Sequence, residues 1–166
     1  MAYQITSPRL GAQPITDTSA TAKHNLGEVI RAADTTLGEG DFIYVQASNS
    51  ITAFDAIAIK ANYKAAPLTL TNAQTAVEVG FAPAAVGTKG DYAWAHKNGR
   101  PIIRLAAACE KDVKLYATAT GGVLDDATSS ALIAGLYATT SATNTSVATG
   151  TTCVSRFPVL IRNPVA

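Results

Sequence analysis

From residue 26 onward, large apolar residues alternate with small or polar ones in short runs, each closed by a turn signal, and this period of two predicts strands. The first such run opens at Leu26-Gly27 and continues through Val29 and Ile30 to Asp34; Thr21 could cap a helix here, but Gly27 and the following Thr35-Thr36 favour a strand. Residues 42–47 and 51–59 flank a Ser48-Asn49-Ser50 turn, and residues 92–97 and 101–107 flank Asn98-Gly99, so each pair predicts a hairpin. Pro101 cannot donate to a ladder and places its strand at an edge or bulge. Residues 115–120 reverse at Gly121-Gly122 into Val123-Leu124, residues 131–137 read as a buried strand, and residues 154–161 close the domain. Short strands precede the second hairpin at residues 68–70 and 77–81, with a helical turn between them at residues 71–75. The Thr- and Ser-rich residues 139–152 read as a long loop or a solvated hairpin. The pattern as a whole predicts a mainly β fold, a single antiparallel barrel or sandwich built from hairpins over residues 26–166.

Residues 1–25 differ. Pro8, Gly11 and Pro14 interrupt them, and Tyr3, Ile5, Leu10 and Ile15 are spaced too widely for an amphipathic helix, so this segment reads as an extended N-terminal arm. One short phrase recurs in the domain itself: Gly40-Asp41-Phe42-Ile43-Tyr44-Val45 is echoed by Gly90-Asp91-Tyr92-Ala93-Trp94-Ala95, and more loosely by residues 112–117. Lys114 stands in the third copy where the others carry an aromatic, which argues against a repeated ligand site.

Charged residues make up only 15% of the chain, against an average near a quarter, and a surface so sparsely charged suits packing against neighbours. The net charge of +1 comes from scattered Lys and Arg without the basic stripe that phosphate neutralisation needs, so nucleic acid is not an expected partner. No apolar run reaches the length that spans a bilayer, and Met1 to Thr6 lack the features of a signal peptide, so folding in a cytoplasm is expected. In that compartment Cys109 and Cys153 read as small buried groups rather than a disulfide.

Candidates for chemistry are few. His24 and His96 lie in different elements with no second ligand at metal spacing, and Asp125-Asp126 sits where turn or cap duty is the commoner use. Cys109, beside Glu110 and Lys111, has no histidine partner that would make it a nucleophile. Gly38 and Gly40, and Gly87 and Gly90, lack the Lys-Ser/Thr of a phosphate loop, and Asn144-Thr145-Ser146 is a chance glycosylation triplet in a Thr-rich tract. We therefore expect no catalytic, cofactor-binding or metal-binding residues and no enzymatic activity. Alternation places Phe42 with Tyr44, and Tyr92 with Trp94, on one strand face each; together with Tyr116 and Phe157 they are expected as structural core. The competing use is an aromatic platform at Tyr92 and Trp94 in a virion-surface or fibre-associated carbohydrate-binding module.

The order of several motifs resembles a family. Leu26-Gly27 opening a strand, the Gly90-Asp91-Tyr92-Ala93-Trp94 segment with Gly99 in its turn, Leu115-Tyr116-Ala117-Thr118-Ala119-Thr120-Gly121-Gly122-Val123-Leu124-Asp125-Asp126-Ala127, and Arg156-Phe157-Pro158-Val159 are similar to the small capsid decoration (cement) proteins of tailed bacteriophages. The resemblance implies a mainly β protein on the outside of an icosahedral head, assembled in the host bacterial cytoplasm. It also implies a major capsid protein as partner and a homotrimer at three-fold or quasi-three-fold positions. The arm lies outside the resembling region; Tyr3, Ile5, Arg9, Leu10 and Ile15 are its expected capsid anchors, adding to a neighbouring sheet as a strand.

Overall fold

The structure, a computed structural model, describes residues 3–5, 12–142 and 148–162, with backbone alone for Tyr3 and for residues 148–157. Strand accounts for 46% of the chain and helix for 3%, so the mainly β expectation holds. In chain order the elements are β1 (Tyr3–Ile5), β2 (Val29–Asp34), β3 (Gly38–Ala47), β4 (Ala56–Ile59), β5 (Lys64–Pro67), α1 (Leu70–Ala73), β6 (Glu78–Phe81) and β7 (Tyr92–Asn98). They continue with β8 (Ile102–Leu105), β9 (Leu115–Ala117), β10 (Val123–Asp125), β11 (Ala131–Ala138) and β12 (Ala148–Arg162). The Thr-rich tract is thus in part strand, since β12 begins at Ala148. The one helix is a single turn held by a capping box between Thr69 and Asn72.

Two rings of strands form the body. In the first, β3 pairs with β5 in parallel, β5 with β4, β4 with β6, β6 with β7, and β7 returns to β3, all antiparallel after the first pair. β2 adds to β3 alongside this ring, and β1 adds to β2. In the second ring, a closed barrel, β8 pairs with β10 in parallel, β10 with β9, β9 with β11, β11 with β12, and β12 with β8, again antiparallel after the first pair. The barrel is therefore mixed rather than purely antiparallel.

Alternation sets what faces inward. Val45, Ile57, Ile59, Ala65 and Ala95 share one core cluster in the first ring, while Ile103, Leu105, Leu115, Ala117, Leu124 and Ile133 fill the second. The outer faces of β4 and β6, carrying Ala56, Ala58, Val79 and Phe81, belong to the same continuous core as the interior of the second barrel. One barrel is seated against the flank of the other.

Two predicted hairpins do not form. Residues 42–47 pair with β2, β5 and β7 but not with β4, and residues 92–98 pair with β3 and β6 but not with β8, which joins the second ring. Both edges of β3 and of β7 are already occupied, and Pro101 offers no N–H to a returning ladder. The Gly121-Gly122 reversal does form the expected antiparallel pair, β9 with β10. The first two copies of the recurring phrase, β3 and β7, instead pair with each other, placing Tyr44 opposite Trp94.

The arm is not free either. Residues 12–25 fold back over the first ring, where Ser19 exchanges two backbone hydrogen bonds with Tyr92 (3.0 and 2.8 Å), and β1 adds to the chain's own β2. Ile15 is only 2% exposed and packs with Ile30, Phe42, Tyr44 and Trp94, so it is a core residue of its own chain rather than an outward anchor. Ile5 is partly buried against the same cluster. Arg9 and Leu10, and the side chains of Tyr3, Cys153 and Phe157, lie outside the described residues, as does the Asn144-Thr145-Ser146 triplet.

Candidate functional site

The aromatic cluster is the most chemically dense region. Phe42, Tyr44 and Trp94 are each at most 1% exposed, and Tyr92 packs half-buried against them. A buried indole or phenol needs a partner for its polar end. The returning N-terminal segment supplies both: Trp94 Nε1 donates to the Gln13 carbonyl at 2.9 Å, and the Tyr44 hydroxyl donates to Gln13 Oε1 at 3.0 Å. The Lys23 amide donates to that hydroxyl in turn, and the Gln13 amide donates to His24 Nε2, whose Nδ1 faces Glu28 at 3.3 Å. Burial pushes the Tyr44 hydroxyl above its ordinary pKa. His24 is thereby a structural link, and of the two rings expected as a sugar platform Trp94 is enclosed while Tyr92 is half-buried. A lectin reading based on Trp94 finds no open face here.

His96 stacks on Phe42 with ring centroids 4.4 Å apart and donates from Nε2 to the Asn98 carbonyl at 2.9 Å. Its pKa is lowered to about 4 by burial, against the opposing pull of the Asn98 carbonyl and the Asp41 carboxylate. The ring is therefore neutral at physiological pH.

Between the barrels lies a polar seam. Asp55, 1% exposed in the loop before β4, accepts from the Arg104 guanidinium of β8 and from the Thr52 amide at 2.8 Å. Burial raises its carboxyl pKa, while the Thr52 amide and Arg104 pull it down. Around this pair the Arg104 amide bonds the Phe54 carbonyl, the Ala56 amide bonds Gly122, and the Gly122 amide bonds Leu68. A groove of about 240 Å³ between β6 and β12, with Lys97 and Glu78 paired at 3.0 Å, falls below the roughly 300–1,000 Å³ of small-molecule sites.

Cys109, Asp125 and Asp126 bring their Sγ and carboxylate oxygens within 4.8 Å of one another. Cys109 is a free, fully buried thiol, pushed up to about 11 by burial and by the Asp126 carboxylate, and it is protonated at neutral pH. Burial and the neighbouring Asp126 raise Asp125 as well. Asp126 accepts the Glu110 amide at 3.1 Å, so this carboxylate holds the loop after β8. A protonated thiol facing acids without a base is the reverse of an activated nucleophile.

What remains is surface. The outward face of the second barrel carries Tyr116, half-buried and facing out rather than into the core, opposite Leu132, which stands opposite Ile161. Val159 and Ile161, on β12, are 59% and 46% exposed, and Tyr137 is also exposed. Sequence reasoning missed this face because strand alternation alone does not say which side of a sheet is covered. At the end of the seven-stranded sheet, β1 has β2 on one side and no strand on the other among the described residues. Among the described residues no helix is long and apolar enough to cross a membrane. No protein-family model matches this chain, and no curated protein or solved structure matches it either.

Proposed function

We propose that this chain is a structural virion protein that binds the outer surface of a bacteriophage capsid and stabilises the head. Its partner is the major capsid protein, and it acts as a homotrimer at three-fold or quasi-three-fold positions. The observation that carries the reading is the placement of β1 at the end of its sheet, beside β2 with exposed Val29. An edge strand offers a row of backbone donors and acceptors to another chain, and strand addition supplies affinity without any pocket. The order of motifs that resembles decoration proteins supports the same reading. Many copies on one lattice gain avidity, and a ligand that binds the expanded shell better than the unexpanded one stabilises the expanded form by mass action.

The segment beyond β1 has structural duty, so the informative truncation is short. Removing residues 1–11 deletes β1 but keeps Gln13 and Ile15 over Trp94. Purified full-length protein is expected to co-sediment with expanded heads lacking it and to raise their rupture temperature. The truncated protein should keep a blue-shifted Trp94 emission and lose occupancy. Heads that take up no full-length protein would refute the function, and equal occupancy by the truncated form would refute the role of β1.

A further inference from the structure

The two rings are one fold repeated. Each has five strands in which the first pairs in parallel with the third, the third with the second, the second with the fourth, the fourth with the fifth, and the fifth with the first. The repeats occupy equal lengths, Gly38–Asn98 and Ile102–Arg162. Correspondence extends to single hydrogen bonds outside the ladders. Val86 bonds the Ile51 carbonyl at 2.9 Å as Ala142 bonds that of Cys109 at 2.8 Å, and Phe54 bonds Ala82 at 2.8 Å as Asp112 bonds Ala138 at 3.0 Å. Left-handed residues recur at matching places, Phe54 with Asp112 before the second strand and Tyr63 with Gly122 before the third. The inward positions match too: Val45 with Ile103, Ile57 with Leu115, Ala65 with Leu124.

This correspondence identifies an interface with an unfilled twin. In the first barrel the cross-strand pair Ala58–Val79 faces outward and is at most 2% exposed, because the second barrel is seated on it. By register its counterpart in the second barrel is Tyr116–Leu132, continued by Ile161; Tyr116 and Leu132 are half-buried, Ile161 is 46% exposed, and no other barrel is seated there among the described residues. Lys114 and Asp125 stand at its margin, so an apolar centre has a polar rim, as protein interfaces do. We propose that this face of the second barrel receives another copy of the same chain, which supplies the next barrel in the series. The contact joins different surfaces of the two copies, and contacts of that kind close into rings when the rotation permits. The inference gives the homotrimer proposed above its face; it rests on that reading for the number of copies alone, and self-association is measured without capsids.

The test is sedimentation velocity and native mass spectrometry of the full chain over a wide concentration range. Wild type should associate, the double variant Leu132→Glu/Ile161→Glu should associate at least about tenfold more weakly, and Thr88→Glu, at an exposed position in the loop before β7, should behave as wild type. Val159→Lys, at the most exposed position of the face, replaces the double variant if that loses the buried Trp94 emission. A wild-type monomer at every concentration would overturn the proposal, as would undiminished association of a folded variant. A monomer whose variants lose binding to heads would overturn it in favour of a capsid-facing role, while failure to bind heads by an associating wild type would leave the interface standing and remove the decoration reading.

Discussion

Asp55 and Arg104 form an ion pair across the seam between the two barrels, with Asp55 inaccessible to water and its second oxygen taken by the Thr52 amide. Removing one member of a buried pair strands the other. Asp55→Ala is expected to lower stability by about 3–5 kcal/mol in urea titrations at neutral pH. Arg104→Met should cost a similar amount there, and its deficit should narrow in acid, because Asp55, already raised by burial, then takes up a proton in the folded protein. A cost below about 1 kcal/mol for both would show that the seam is held by packing alone.

His96 predicts a pH dependence of defined sign. Its folded pKa is lowered to about 4 from 6.5, so the unfolded chain binds a proton at higher pH than the folded one does. The stability that neutral His96 contributes is fully present above about pH 6.5 and declines as pH falls toward 4, by on the order of 3 kcal/mol in all. Urea midpoints measured from pH 7 to 4 should fall in wild type and fall less in His96→Gln. Parallel curves for the two proteins would assign the slope to other groups.

Gly122 and Gly38 share a left-handed backbone, with φ of +77° and +78°, yet differ in surroundings. A β-carbon at Gly122 would lie 2.2 Å from the Asp55 carboxyl carbon, whereas one at Gly38 would have no atom within 4 Å among the described residues beyond its chain neighbours. Gly38→Ala should therefore cost only the conformational penalty, about 1–2 kcal/mol. Gly122→Ala should approach the loss of the buried pair, about 3–5 kcal/mol. Thermal denaturation of the two variants side by side checks this, and equal shifts would contradict it.

Strands were legible in the sequence because a period of two survives wherever one face is covered, as in the run from Leu115 to Ala117. Partners were less legible. Asn98-Gly99 carries a strong hairpin signal, but pairing follows whichever edges are free, and β7 has none to give β8. The enclosed aromatic cluster was half legible: Phe42, Tyr44 and Trp94 read correctly as core, while the lid formed by Gln13 and Ile15 looked like an arm because Pro8, Gly11 and Pro14 interrupt it. The available signal was the buried Trp and Tyr, whose N–H and O–H required partners from somewhere. The repeat left almost no trace in residue identity. Corresponding inward positions share apolarity alone, and the outward pair Ala58–Val79 became Tyr116–Leu132 once the two faces had different neighbours. The recurring phrase that is visible marks β3, β7 and β9, which are not corresponding strands.

Each ring is closed by its fifth strand returning to its first, β7 to β3 and β12 to β8. Such long-range closure is slow, and on a ribosome the first barrel can close while residues 148–162 have yet to be made. During that interval Ala58, Val79 and Phe81 lack the barrel that later covers them. The nascent chain thus passes through a stage in which its own docking flank is bare and sticky, and chaperone demand during synthesis should track the delay between the two closures.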